Sequence, residues 1–170
     1  MNKKEFAESV EAIRSKLYRT AYMYLNNEAS AYEAIDEAVY KALKSLKSLK
    51  QPEYFNTWIT RILINICKDE LSRIKRLQPE EYITIDINNI DEIDTDSFSL
   101  KDIISRLPED LKEIIILRYF SGFTLSETAI SLNIPQGTVV TKQRRALSIL
   151  KLELSEDYDA TKQRNGGMYE

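Results

Sequence analysis

Residues 124–150 read TLSETAISLNIPQGTVVTKQRRALSIL, and their order predicts a helix-turn-helix with a basic second helix. Thr124 is a good helix N-cap, and Glu127 three residues on completes a capping box. Leu125, Ala129 and Leu132 then share one helical face. Asn133 interrupts the helix, and Pro135 suits the first position of a second one. There Val139, Ala146, Leu147 and Leu150 form an inward stripe, which leaves Thr138, Thr141, Lys142, Arg144 and Arg145 to point elsewhere. A short helix that is apolar on one side and basic on the other, entered through a tight turn, fits a DNA major groove. An amphipathic hairpin with a solvated charged face is the plainer alternative. Cap, turn and proline all agree on the first reading.

Working outward, Ser99 or Leu100 opens a helix to Arg106, and Pro108 starts the next, over Glu109–Phe120. Its residues Leu111, Ile114, Ile115, Leu117 and Tyr119 are expected to be mostly buried, and Ser121-Gly122 ends it. Upstream, QPEEYITIDINNIDEIDTDSFS (78–99) has no helical period and is rich in Asp and Asn, which reads as a flexible acidic linker, with YITIDI as a possible strand. A helix is expected from about Glu53 to Arg76, with Phe55, Trp58, Ile62, Ile66 and Leu71 inward and Arg61, Asn65, Lys68, Arg73, Lys75 and Arg76 on its polar side. Residues 47–52, KSLKQP, make a basic loop. The helix before it, 29–46, buries Ala31, Ala34, Ile35, Ala38, Val39, Ala42 and Leu46, with Glu33, Asp36, Glu37 and Lys41 outward. Residues 3–25 form the first helix, with Phe6, Val10, Ile13, Leu17, Ala21 and Tyr24 inward, and Asn26-Asn27 break it. Residues 156–170, polar and containing Gly166-Gly167, read as a disordered tail.

The organisation is therefore all-α. Two small helical domains, 1–76 and 101–155, are joined by the linker 77–100, and each is long enough for a marginal core of its own. The net charge of −3 conceals a division: the two domains carry +4 and +2, the linker −7 and the tail −2. Such basic lobes permit nucleic-acid binding without demanding it. No apolar run approaches the roughly 20 residues of a membrane span, so direct membrane insertion is not expected. The N-terminus, MNKKEFAESVEAIRSK, is amphipathic and lacks the apolar core of a signal peptide. One cysteine, Cys67, rules out an internal disulfide and suits a reducing cytosol. With no His, a Ser-His or Cys-His nucleophile pair is impossible within the chain, and a transition-metal site is not expected.

LPEDLKEIIILRYFSGFTLSETAISLNIPQGTVVTKQRRALSIL (107–150) resembles the fourth region of bacterial RNA polymerase sigma factors. LYRTAYMYL (17–25), YEAIDEAVYKAL (32–43) and FNTWITRILINICKDELSR (55–73) resemble their second region. With no large middle domain between them, the pair is similar to the extracytoplasmic-function class, which keeps only these two regions. The resemblance covers nearly everything except the linker and tail.

It implies a set of roles. The 29–46 helix packs on a coiled coil of the largest polymerase subunit, at the exposed positions Asp36, Glu37 and Lys41. Asp36 stands where Gln is common in the family, and Val39 and Leu43 where aromatics are common, so this contact is expected to be tuned differently. The loop at Leu49, Lys50 and Gln51 matches the element that forms a pocket for a flipped base of the melted −10 strand. Asn65 matches the polar wall of that pocket, and Arg61, Lys68, Arg73 and Arg76 match phosphate contacts. Trp58 can be a stacking platform, but its place in the apolar stripe favours core packing. Gln136, Gly137, Thr138, Val140, Thr141, Lys142, Arg144 and Arg145 match the positions that read the −35 duplex. Val140 replaces a Lys or Arg frequent in the family, which removes a hydrogen-bond donor and leaves an apolar contact for a thymine methyl. The linker's seven carboxylates follow a polymerase channel, shield the basic lobes or merely space them; the residues do not choose.

The expected function is an alternative sigma factor, with core RNA polymerase and promoter DNA as partners and an anti-sigma protein implied. Neither an enzymatic activity, a cofactor nor a small-molecule substrate is expected. A stand-alone helix-turn-helix regulator is the main rival, but it needs a dimer face, and no apolar helix is left over for one. An enzyme lacks clustered chemistry here, and a pure interaction module does not explain the basic recognition helix.

Overall fold

The Asn26-Asn27 pair shows how local chemistry shapes the first lobe. Asn26 takes the left-handed conformation (φ 54°) that ends α1 (Lys3–Leu25), and the Asn27 side chain accepts from the Ser30 amide at 2.9 Å to cap α2 (Glu28–Lys44). Two short 3₁₀ turns, Leu46–Ser48 and Pro52–Tyr54, lead into α3 (Phe55–Leu77). The chain is seen in a computed structural model that describes residues 1–77 and 100–165. Its second part contains α4 (Leu100–Ser105), α5 (Glu109–Ile115), a π-helical turn (Ile116–Phe120), α6 (Leu125–Leu132) and α7 (Gln136–Asn165). Among the described residues there is no strand. The linker, including YITIDI, lies outside them.

The apolar period of α1 is realised, with Phe6, Val10, Ile13, Leu17, Ala21 and Tyr24 buried; on α2 Ala31, Ala34, Ile35, Ala38 and Ala42 are buried, but Val39 is only half-buried at the edge of the core, and Leu46, also half-buried, lies past the end of α2 in the first 3₁₀ turn. Helix α3 differs from expectation. Its buried apolar residues are Phe55, Ile59, Leu63, Ile64, Ile66 and Cys67, whereas Trp58, Ile62 and Leu71 are only half-buried at the edge of the core. The cause is that α3 is covered on several sides, by α1, by α2 and by residues of the second lobe, so its apolar stripe is wider than a period count suggests.

The second lobe also departs from the sequence reading in three places. The stretch after α5 is not a continued α-helix but a π turn, which lets Leu117 point fully inward while Tyr119 is 54% exposed. Gly122 ends the turn at φ +70°, a conformation that strains any side chain, and the Phe123 amide closes back on the Leu117 carbonyl at 2.9 Å. Leu147, expected inside, is 40% exposed, because it lines an open apolar groove of about 800 Å³ with Leu100, Tyr119 and Leu154. Helix α7 itself continues to Asn165, into the stretch where composition suggests a tail.

The lobes do not keep separate cores. Ile116, Leu117 and Phe123 are buried in the core of α1–α3, with Phe120 and Leu132 packed against it. The sequence IIILRYF (114–120) is apolar almost all round, and a lobe of about 55 residues is too small to cover such a segment alone. The remainder of the second lobe builds two smaller cores, one around Ile104, Leu111 and Ala146 and one around Ile114, Ala129 and Val139.

Candidate nucleic-acid interface

The helix-turn-helix is set by short-range bonds. The Thr124 hydroxyl accepts from the Glu127 amide at 3.1 Å, and the Glu127 carboxylate accepts from the Thr124 amide at 2.7 Å, so the capping box is complete. Asn133, at φ 53°, turns the chain, and the Pro135 carbonyl accepts from the Thr138 and Val139 amides to start α7. Val139 and Ala146 are fully buried beneath it.

Of the residues proposed for duplex reading, Gln136, Gly137, Thr141, Arg144 and Arg145 are exposed, and Thr138, Val140 and Lys142 are half-buried. A Cβ at Gly137 would meet nothing within 4 Å, so this glycine leaves the backbone at the start of α7 open to approach. Lys142 pairs with Asp110 of α5 at 2.8 Å, and that hydrogen-bonded lysine holds the Asp110 carboxyl below its usual range. Arg144 and Arg145 make no ion pair among the described residues, and Arg145 is near enough to Asp110 only to contribute to its field. The orientation of α7 is secured by two residues that the sequence reading did not single out. The Arg118 guanidinium donates to the Phe123 carbonyl and, at 3.2 Å, to Gln143 Oε1; Gln143 Nε2 donates to the Tyr119 hydroxyl at 3.0 Å. Gln143 lies 25 residues from Arg118 and 24 from Tyr119, and no local pattern marks these pairs.

On α3, Arg61, Asn65 and Lys68 are exposed and fall within about 60° of one another, and Arg76 adjoins them, given 100° per residue. Arg73 lies off this face. Both its Nε and Nη2 donate to Glu70, at 2.8 and 2.6 Å, and this hydrogen-bonded guanidinium lowers the Glu70 carboxyl. Lys50 and Gln51 are exposed in the preceding loop, whereas Leu49 is half-buried against the core. Trp58 packs on the same core with its ring centroid 6.2 Å from that of Phe55, an arrangement that serves packing. On α2, Asp36, Glu37 and Lys41 are exposed, and Lys41 pairs with Glu37 at 2.6 Å, while Asp36 makes no ion pair among the described residues.

Burial pushes the Cys67 thiol up to about 12, which makes it unreactive at neutral pH. No group of His, Cys, Asp and Glu among the described residues is arranged to hold a metal ion, and no described helix is long and apolar enough to cross a membrane.

The comparisons with known proteins agree with the geometry. Residues 10–77 match the family profile described as Sigma-70 region 2, and residues 103–152 match Sigma-70, region 4. RNA polymerase sigma factor SigV of Bacillus subtilis is 29% identical over 145 residues, covering 85% of this chain and 87% of that one. The ECF RNA polymerase sigma factor SigW of the same organism is 27% identical over 170 residues, covering 89% of each. The chain belongs to the extracytoplasmic-function sigma factors. This sigma factor shares its fold with the sigma factor RpoE of Bartonella quintana, solved in complex with the anti-sigma factor NepR: TM-score 0.76, 22% identity, 89% of this chain and 98% of that one. It also matches CnrH, solved with the cytosolic domain of CnrY, at TM-score 0.68 and 18% identity over 92% and 91% of the two chains. As an alternative sigma factor it serves transcription initiation.

Proposed function

We propose that this sigma factor joins core RNA polymerase through the exposed Asp36, Glu37 and Lys41 of α2. It then holds the opened −10 strand on α3 through Asn65, Arg61, Lys68 and Arg76 with Lys50 and Gln51, and reads the −35 duplex with α7. The observation that carries this reading is the pairing of two exposed basic faces, on α3 and α7, within one chain whose two family regions stand in the order of region 2 and region 4. Each face alone is a weak binder, and selectivity follows when polymerase holds both at a set separation. The protein is non-catalytic; the polymerase supplies the chemistry, in the cytoplasm. The anti-sigma factor bound to the Bartonella relative supports a regulator of the same kind here.

The test adds purified protein to core enzyme and a set of genomic fragments, and maps transcript starts. Alone, the protein should bind duplex DNA only near the roughly 10⁻⁴–10⁻⁶ M of non-specific contacts at physiological salt. With core enzyme, specific starts should appear. Nanomolar, sequence-specific binding by the protein alone, with no effect on core enzyme, would establish the stand-alone regulator instead.

Asn65 gives a sharper readout. An exposed amide offers both donor and acceptor to a base edge. Asn65→Ala is expected to weaken binding of the −10 single strand by about 1–3 kcal/mol while leaving −35 duplex binding unchanged. Unchanged single-strand affinity in the variant refutes the assignment.

A further inference from the structure

Lysines on the helices proposed to meet DNA are held by acids from other elements. Lys68 of α3 forms a close ion pair with Glu113 of α5, and Lys142 of α7 pairs with Asp110, also of α5. A phosphate can replace either carboxylate, so both lysines keep a use at the DNA. Gln143 of α7 is engaged differently. Its Oε1 accepts from the Arg118 guanidinium at 3.2 Å, and its Nε2 donates to the Tyr119 hydroxyl at 3.0 Å. Arg118 also donates to the carbonyl of Phe123, a residue buried in the core of α1–α3. Both ends of the amide are therefore committed, in a chain of bonds that finishes on the backbone just ahead of α6.

The place of Gln143 on α7 limits what it can do. At about 100° per residue, it falls within about 60° of Val139, Ala146 and Leu150, which α7 buries. Arg144 and Arg145 lie about 100° and about 160° from it and straddle the opposite face, with Gly137 and Thr141 between them. Glutamine is a common reader of adenine, but on this helix it sits on the side turned to the fold. Packing by Val139 and Ala146 is non-directional and leaves α7 room to roll about its axis. Hydrogen bonds have preferred distances and angles, and one of this pair comes from a charged guanidinium, so together they select one roll angle. The angle matters at the DNA. A roll of about 30° carries a point at the ~6 Å radius of the helix through about 3 Å, nearly the rise of about 3.4 Å between base pairs.

Resting on the proposed function, we infer that Gln143 is a specificity-determining positioning residue. Bonded to Arg118 and Tyr119, it fixes the roll of α7 so that Arg144 and Arg145 meet one register of the −35 duplex, and it touches no base itself. The residue type follows from the role. A leucine at this place would extend the buried stripe but carries no direction, whereas the amide supplies an acceptor to the guanidinium and a donor to the phenol at once.

The test compares three variants of the full chain. Gln143→Leu is similar in size and removes both bonds, and Tyr119→Phe removes one. Gln143→Glu restores both, since a carboxylate accepts from Arg118 and from the Tyr119 hydroxyl. Holoenzyme made with each is assayed for binding to promoters carrying single −35 substitutions. Gln143→Leu should narrow the preference for the best base about fivefold, the worth of one net hydrogen bond, at the positions that also respond to Arg144→Ala and Arg145→Ala. Non-specific duplex binding and its salt dependence should not change, because phosphates are met in every register. Gln143→Glu should keep the parent's preferences, and Tyr119→Phe should fall between. A base-reading Gln143 gives another pattern: loss at a position of its own, with no rescue by glutamate, which cannot donate to a base. That pattern, an equal loss on all sequences, or unchanged preferences in Gln143→Leu would each overturn the inference. The roll itself is read in the free protein from nitroxides on Ile130→Cys and Ser148→Cys, both exposed positions, while Cys67 is buried and stays unlabelled. The distance distribution should broaden or shift in Gln143→Leu and match the parent in Gln143→Glu; no change in Gln143→Leu would overturn the positioning role. If no form of the protein directs specific starts on core enzyme, the sigma reading fails instead, and the label distances still judge the positioning by themselves.

Discussion

Replacing Arg144 and Arg145 together by alanine is expected to cost about 2–6 kcal/mol in −35 recognition, taking about 1–3 kcal/mol for each base-reading arginine. The lower bound already means a loss of roughly thirtyfold in promoter binding by the holoenzyme. Both residues are exposed on α7, and neither makes an ion pair among the described residues. Their backbone is steadied from below by Val139 and Ala146 and from the side by Gln143 on Arg118 and Tyr119. Lys142 makes the useful contrast: it must leave Asp110 to reach a phosphate, so Lys142→Ala should cost less. Footprinting on promoters with single −35 substitutions separates the contributions, since a lost base contact relaxes preference at one position and a lost phosphate contact weakens all sequences equally. Normal transcription of a cognate promoter by both single arginine variants would remove these residues from the interface.

Leu117→Ala should have the largest effect on stability, about 2–5 kcal/mol. Leu117 has no exposed surface, and it belongs to the second lobe by sequence but to the core of α1–α3 by packing. The cavity it leaves is lined from both lobes, which cannot collapse onto it without shifting α1 against the π turn. At roughly 2–4 °C per kcal/mol for a chain of this size, a loss of 3 kcal/mol lowers the melting temperature by about 6–12 °C. Calorimetry tests whether the lobes share one core: the variant should shift the unfolding of the whole chain. A shift confined to a minor transition, with the α1–α3 lobe melting as before, would show that the lobes are energetically separate.

What the residues reveal alone depends on how far apart the interacting groups stand. Thr124 with Glu127, Asn133 before Pro135, and the Asn26-Asn27 break are legible because each is settled within four residues by its own backbone and side-chain bonds. The stripes of α1 and α2 are legible because polar positions punctuate them. IIILRYF offers no such contrast, so neither the π turn nor the inward Leu117 and outward Tyr119 can be read from it. On α3 the choice of Ile59 and Leu63 over Ile62 as the deepest residues depends on what packs from outside the helix. For the candidate interfaces, residue types and the faces of Arg61, Asn65, Arg144 and Arg145 are legible, but not the engagement of Lys68 by Glu113, of Lys142 by Asp110 or of Arg73 by Glu70. The first two span the fold, and the third competes with equally spaced alternatives along one helix.

The open outer face of α2 has a consequence for the supply of this protein in a cell. Asp36, Glu37 and Lys41 stay accessible while the second lobe sits against α3. A bacterial chromosome offers about 10⁶ or more competing sites to any chain that presents basic residues freely. A chain whose helix α2, proposed to meet polymerase, is open and whose Lys68, proposed to meet the strand, is paired with Glu113 escapes that sink. New copies then add to the pool that contends with other sigma factors for core enzyme, in place of being diluted along the genome, and a modest rise in synthesis translates directly into reprogrammed polymerase.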